Sequence, residues 1–483
     1  MIGRTGDRRD GSAPWPPAPR GGVFALGLLL WLGTTHAASR PNVVFILADD
    51  LGWADLGCQG SQYYETPHLD RLAAQGMRFT HGYTCGPNCQ PTRAALMTGQ
   101  YGPRTGIYTV GSTNRFDWSM RPLVPVRNVT ELAPEKTTIA EALKSAGYVT
   151  GLFGKWHLGS DPAHHPSAQG FDEALVSEGR HFDFATIPPS EVPPGAYLAD
   201  FLTGKAVDFL RRHRDQPFFL YLPHFAVHSP HQAKPDQMAR FQNKPPAGGQ
   251  RSPVYAGMIA SLDASVGRIV ATLDELGLTD QTLVIFSSDN GGVGGYRRAG
   301  LPTNEGITDN APLHGGKGML YEGGVRVPFI FRWPGRIHRG RVCQEPIISV
   351  DLFPTLIALA GAPPPRDQPL DGVDLLPLLR EEVTKLPRAA LFWHFPGYLG
   401  SGPHIWRTTP AGAIRRGDYK LIEFFEDGRR ELYDVRQDVG EQHDVARQRR
   451  ELAQALHAQL EAWRVAVQAP MPARRLPAPT GGQ

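Results

Sequence analysis

Residues 41–48, Pro-Asn-Val-Val-Phe-Ile-Leu-Ala, form a continuous apolar run that ends abruptly on two acids, Asp49 and Asp50. A strand with one wet face alternates apolar and polar side chains, whereas a run like this suits a strand covered on both faces. A second run, 282–287, ends in a similar way, just ahead of Asp289 and Asn290. Covering both faces takes helices, and the chain supplies them between further apolar runs. Thr66-Pro67 opens a helix that Gly76 ends, with proline at the first helical position. Thr138 and Glu141 have capping-box spacing for a second helix, ending near Gly147. Strands over 148–153, 217–222 and 325–331 and helices over about 197–213, 254–276 and 350–360 continue the alternation. The expectation is an α/β fold whose large domain holds a mostly parallel, doubly wound sheet.

Past residue 365 the pattern changes. Pro363-Pro364-Pro365 begins a linker-like stretch, followed by short strand candidates over 390–393, 413–416, 419–424 and 431–435 and an amphipathic helix over about 445–466. This predicts a smaller C-terminal domain, an antiparallel sheet with one helix packed on it. The expected boundaries are 39–365 for the large domain, 366–470 for the smaller one and 471–483 for a tail. At the other end, an Arg-containing segment precedes an apolar stretch over 22–33 and small residues at 35–39. Twelve residues are too few to span a bilayer but suit a secretory signal, so 1–38 is expected to be a signal peptide, with an uncleaved anchor as the alternative. No later segment is expected to reach transmembrane length. The mature protein is therefore expected to be secreted or periplasmic, with no stable membrane insertion after cleavage. Fifty basic against forty-seven acidic residues leave a net charge of only +3, with no Lys/Arg run, which argues against a nucleic-acid partner. Four cysteines, Cys58, Cys85, Cys89 and Cys343, are too few for a disulfide scaffold.

In an open parallel sheet, ligands bind at the carboxyl ends of the strands. Asp49, Asp50, Asp289 and Asn290 would meet there, and three carboxylates would repel unless a cation joined them. All four are hard oxygen donors, which suits calcium, or magnesium after it, rather than zinc. Acids after strands also serve as turn residues or helix caps, so neither pair decides anything alone. The segment from Cys85 to Gly99, Cys-Gly-Pro-Asn-Cys-Gln-Pro-Thr-Arg-Ala-Ala-Leu-Met-Thr-Gly, says more. Pro91 fits the first turn of a short helix and Gly99 its end, which places Cys89 at a helix N-terminus where an anion is favoured. The competing reading makes Cys89 a structural or redox thiol paired with Cys85.

Cys89-Gln-Pro-Thr-Arg93, followed by Leu96-Met-Thr-Gly99, resembles the signature of the formylglycine-dependent sulfatases, commonly C-x-P-S-R followed by T-G. Thr92 stands where serine is usual. Further segments resemble the family's other elements: Gly154-Lys155-Trp-His157-Leu-Gly159, Ala226-Val-His228-Ser-Pro230, and Gly315-Gly-Lys317-Gly-Met319 followed by Tyr321-Glu-Gly-Gly-Val-Arg326. Lys155 and His157, two apart on a segment read as extended, are expected to face the same side. The resemblance covers roughly 41–445 and implies an alkaline-phosphatase-type fold and hydrolysis of sulfate monoesters. It implies that a maturation enzyme oxidises Cys89 to formylglycine, with less efficient conversion at Thr92, and that Asp49, Asp50, Asp289, Asn290 and residue 89 bind calcium. The hydrated aldehyde beside Arg93 would supply the nucleophile, Lys155 and Lys317 would hold sulfate oxygens, His228 would protonate the leaving alcohol and His157 would act as the base that expels sulfate. Three aspartates, a divalent cation, Arg93 and two lysines carry a net positive charge that would accept a phosphate or phosphonate monoester too, which is the alternative on the same scaffold. A non-catalytic glycan-binding relative with unmodified Cys89 is the other. A sulfated carbohydrate or an aryl sulfate is the expected substrate, with Arg104, Arg180, His181, Arg297, Arg298 and Trp406 as candidates for the outer pocket and Asn128-Val-Thr130 as the one sequon considered.

Overall fold

The computed structural model describes residues 11, 13–17, 40–302, 306–402 and 404–476, and the described residues from Arg40 onward form one compact unit. The apolar stretch 22–33 of the expected signal peptide lies outside the described residues.

The main sheet is built from β1 (Asn42–Ala48), β2 (Met77–Tyr83), β3 (Val149–Gly154), β4 (Glu173–Val176), β5 (Phe218–Pro223), β6 (Thr282–Ser288), β7 (Arg326–Arg332), β8 (Arg341–Cys343) and β9 (Ile347–Ile348). Across the sheet the order is β9-β2-β7-β6-β1-β5-β3-β4, with β8 pairing β2. β7 runs antiparallel to both its neighbours, and every other pairing is parallel. β1 is central and buried along its whole length. Its side chains alternate between two cores. Val44 and Ile46 point into one cluster with Leu202, Phe209, Ile259 and Leu262. Val43, Phe45 and Leu47 point into the other with Leu96, Leu143, Phe353 and Leu356. This is why the run 41–48 carries no polar alternation: at about 25 cal/mol per Å² of apolar surface removed from water, both faces contribute.

The helices α1 (Pro67–Ala74), α2 (Cys89–Thr98), α3 (Ile139–Ser145), α4 (Leu198–Arg212), α5 (Pro253–Glu275) and α6 (Leu352–Ala360) cover the two faces. The capping box at Thr138 and Glu141 is formed as the spacing predicts. One expectation needs correction. α5 is long and apolar enough to cross a membrane, although no such segment was expected past the signal. Its apolarity has another cause, since it packs against α1 and α4 with Met258, Ile259, Leu262 and Val266 fully buried.

After residue 390 come β10 (Leu391–Phe395), the hairpin β11 (Leu399–Gly402) and β12 (Ile405–Thr408), then β13 (Ala411–Arg416), β14 (Tyr419–Phe424) and β15 (Arg430–Asp434). β10-β13-β14-β15 form an antiparallel sheet on which α7 (Arg450–Ala466) packs through Leu456 and Leu460. α7 starts five residues later than its amphipathic pattern suggests, because the Val445 amide donates to the Leu432 carbonyl and ties that stretch to β15. Further on, Ala473–Arg474 pairs with Leu123–Val124.

Candidate active site

The carboxyl ends of β1, β3, β5 and β6 lie side by side, and each delivers part of one polar cluster. β1 ends at Asp49 and Asp50, β6 at Asp289 and Asn290, β3 leads to Lys155 and His157, and β5 leads to His228. Lys317 precedes β7, and because β7 is antiparallel, the chain entering it arrives where the parallel strands leave. Cys89 is the first residue of α2, with Asn88 as N-cap, and Gly99 closes that helix at φ 68°. All ten residues expected from the sequence come together in this crevice or directly behind it.

The contacts are short and buried. Cys89 Sγ lies 3.4 Å from Asp49 Oδ1 and 3.4 Å from Lys317 Nζ. Lys317 Nζ also bonds Asp50 at 2.6 Å, and Lys155 Nζ bonds Asp49 Oδ2 at 2.6 Å. Arg93 directs Nε and Nη2 at Asp289 Oδ2, at 3.0 and 2.7 Å, and donates through Nη1 to the Lys155 carbonyl at 2.8 Å. Asn290 Nδ2 donates to Asp50 Oδ1 at 2.8 Å. Asp50 sits in the left-handed region at φ 65°, held by its own amide on Asp289 Oδ1 and by the Leu51 amide on Ser288 Oγ. His228 Nε2 is 3.7 Å from Asp50 Oδ2, and its backbone carbonyl accepts from His181 Nε2 at 2.8 Å.

Burial and neighbours set the protonation states. Burial pushes the Cys89 thiol well up, and Asp289 and Asp49 push it further than Lys155 and Lys317 pull it back. An unmodified Cys89 is therefore a neutral thiol, a poor nucleophile. Burial would raise Asp49 and Asp50, but Lys155 and Lys317 respectively lead the cations that hold both below the usual carboxylate range. Asp289 is pushed up to about 6 by burial and by Asp49, despite Arg93. His157 is lowered to about 2 by burial, then by Lys155 and Arg93, so it is a neutral ring. Its Nδ1 is buried without a hydrogen-bond partner.

One local expectation is corrected. His157 has φ 63°, so the segment after β3 is not extended there, and period-two alternation does not place its ring. Lys155 and His157 nevertheless both line one cavity of about 780 Å³, together with Cys89, His228 and Lys317. None of the six outer-pocket candidates lines it. Arg104 pairs with Asp371 and Arg298 with Asp309, His181 is fully buried behind His228, and Trp406 packs against Phe116 and Tyr398. The outer wall is instead made by Val110, Arg115, Phe116, Glu178, Leu399 and Arg407. No motif marks these residues, although Arg407 is next to the considered Trp406 and Glu178 is two residues from the considered Arg180. Cys85 is not bonded to Cys89; both thiols are free, and Cys85 Sγ accepts from Ser349 Oγ at 3.1 Å.

The family model described as Sulfatase matches residues 41–362, and that described as N-sulphoglucosamine sulphohydrolase, C-terminal, matches 314–466. The chain belongs to the sulfatase family. Among curated relatives of this sulfatase, a protein named Sulfatase from Formosa agariphila is 34% identical over 90% of each chain. Canine N-acetylgalactosamine-6-sulfatase is 36% identical over 74% of this chain and 69% of its own. Among solved structures, Ps i-CgsB in complex with k-i-k-neocarrahexaose superposes with a TM-score of 0.74 at 31% identity, covering 88% of this chain and 93% of that one. The fold, a mostly parallel central sheet with separate antiparallel sheets, is that of these sulfatases, and the chain is an enzyme that hydrolyses sulfate esters.

Proposed function

We propose that this sulfatase hydrolyses sulfate monoesters of a carbohydrate, using a formylglycine made from Cys89 by a maturation enzyme and a bound calcium ion, and that it acts after export. The observation that carries the reading is Cys89 at the N-terminus of α2, buried between two aspartates and Lys317 at the floor of the cavity. Burial and two aspartates keep the Cys89 thiol protonated, so an unmodified residue 89 would be a poor nucleophile. The apolar stretch over 22–33 supports export, and the relatives named for sulfated sugars support a carbohydrate.

The donor set fits a hard divalent cation. Asp49, Asp50, Cys89 and His228 offer donor atoms within 4.8 Å of one another. Asn290 Oδ1, beside Asp50, is a buried acceptor with no hydrogen-bond partner, and such an orphan is expensive unless something fills it. Asp49, Asp50, Asp289 and Asn290 would hold the ion, an all-oxygen set that calcium takes more readily than magnesium. When bound, the ion neutralises the crowded carboxylates and makes an oxygen on residue 89 more acidic.

The chain's own groups then have separate tasks. Arg93, locked on Asp289, fixes the position of the carboxylates behind residue 89. Lys155 and Lys317 place two ammonium groups where sulfate oxygens gain charge. His228 is partly exposed at the cavity wall and is placed to protonate the leaving alcohol. His157, neutral and with a free ring nitrogen, is the base that takes a proton at residue 89 as sulfate is expelled.

The test is turnover of an aryl sulfate against the matching aryl phosphate, with calcium or chelator, on protein made with a formylglycine-generating enzyme. Calcium-dependent sulfate turnover that vanishes in Cys89→Ala, with an aldehyde at residue 89 by peptide mass spectrometry, is the expected result. Dominant phosphate turnover would assign the same site to phosphate monoesters. Normal activity in Cys89→Ala would overturn the scheme.

A further inference from the structure

Two arginines on the outer wall have no role in the scheme above. Arg407, on β12, packs its stem against Gly318, the residue after Lys317, and lays its guanidinium over the Tyr296 ring at 4.5 Å. Tyr296 in turn donates its hydroxyl to the Lys317 carbonyl at 3.0 Å. Arg407 is therefore one ring away from a residue that touches Cys89. Arg115 reaches the same cavity from the turn that follows Val110, with its guanidinium 4.5 Å above the Phe116 ring. Phe116 packs against Trp406, the residue before Arg407, which joins the two supports.

Neither arginine has a carboxylate partner among the described residues. Arg407 Nε is buried and bonds nothing. Partial burial and then Arg407 hold Arg115 below the usual guanidinium range. Glu178, the acid that lines the cavity beyond the catalytic cluster, pairs with neither. Arg407 is half-buried and Arg115 reaches the exposed rim of the cavity, and two like charges facing one cavity without a counterion attract an anion between them. The scissile sulfate does not need them, because Lys155 and Lys317 already stand at residue 89. Planar guanidiniums backed by aromatic rings are the groups suited to carboxylate or sulfate oxygens.

We propose that Arg115 and Arg407 form a second anion subsite, so that the preferred substrate carries a further carboxylate or sulfate close to the sulfate that is cleaved. This rests on the reading of residue 89 as the reacting centre. The test compares three sugars that share one cleavable sulfate: the sugar alone, the sugar with a second sulfate, and the sugar linked to a uronic acid. Calorimetric titration uses the unreactive Cys89→Ala protein, and kcat/KM uses the matured enzyme. A charge-assisted hydrogen bond contributes about 1.5–3 kcal/mol, so the two-anion sugars are expected to bind and react at least about tenfold better. Which of them leads separates a sulfate subsite from a carboxylate subsite. Arg407→Gln and Arg115→Gln are each expected to reduce that ratio at least fivefold, and Arg407→Lys to restore part of it. Equal binding of one-anion and two-anion sugars, or a ratio unchanged in both glutamine variants, would overturn the subsite. Turnover of 4-nitrophenyl sulfate that disappears in Cys89→Ala would at the same time uphold the reacting centre, so the two failures are distinguishable.

Discussion

Most of the proposed catalytic cluster is legible in the sequence because its residues sit in short motifs whose spacing is fixed by strand ends and one helix turn. Asp49-Asp50 and Asp289-Asn290 each follow an apolar run, and Cys89 and Arg93 are one turn apart on α2. Arg115 and Arg407 carry no such mark, since 292 positions separate them and only the fold brings them to one cavity. Thr92 is the one departure inside a motif. Its side chain is fully buried, and its hydroxyl donates to the Gly86 carbonyl at 3.2 Å. Serine would keep that bond and lose only a methyl group, so Thr92→Ser is expected to leave the fold intact. If the β-methyl hinders the maturation enzyme, Thr92→Ser raises the aldehyde-to-thiol ratio of the residue-89 peptide severalfold. An unchanged ratio by mass spectrometry would show that position 92 does not limit conversion.

At the scale of elements, strands made of one apolar run were legible, including β3 beside the sheet edge, and β2 and β4 were not. β1 and β6 read as strands because nothing polar interrupts them. β2 carries Arg78, Thr80 and His81, and β4 is only four residues long, so neither has a period to detect. α2 is closed by Gly99, whose Cβ in an alanine variant would stand 2.8 Å from Phe353 Cβ at a positive φ. Gly99→Ala is expected to cost about 1–3 kcal/mol in urea unfolding, by strain and overpacking together. A second junction joins the small sheet to β7. Lys420 on β14 donates to Glu322 at 3.0 Å and stands as an ion pair 3.0 Å from Glu441, and all three are buried. Burial would raise Glu322, but Lys420 with Arg326 and Arg415 brings it down to about 2, while burial leaves Glu441 up at about 7. Lys420→Met takes the cation from Glu441, leaves Glu322 to Arg326 and Arg415, and is expected to cost about 3–5 kcal/mol. Adding Glu441→Gln should recover part of that loss, and failure to do so would mean the two acids are not held together by the lysine.

Over the whole molecule, the division into two cores by one sheet leaves several histidines buried as neutral rings, and these tie stability to pH. His224 is the clearest case. It follows β5, is fully buried, and places Nε2 2.9 Å from Ser265 Oγ. Burial lowers it from 6.5 to about 3. In the unfolded chain the ring protonates near 6.5, so below that pH the unfolded state takes up a proton that the folded state refuses. The stabilisation is therefore complete above about pH 6.5 and is lost progressively as the pH falls toward 3. Each unit of difference amounts to about 1.4 kcal/mol, so going from pH 7.5 to 5 should remove roughly 2 kcal/mol through this residue. Buried acids such as Asp55, raised to about 6 by burial, act in the opposite sense, losing their contribution as the pH rises. The total curve therefore mixes both, and the informative quantity is a difference between proteins. His224→Gln removes the titrating ring and keeps a group able to bond Ser265. The drop in unfolding free energy between pH 7.5 and 5, measured by urea titration, is expected to be about 2 kcal/mol smaller in this variant. Parallel pH curves for the two proteins would show that His224 is not held neutral in the folded chain.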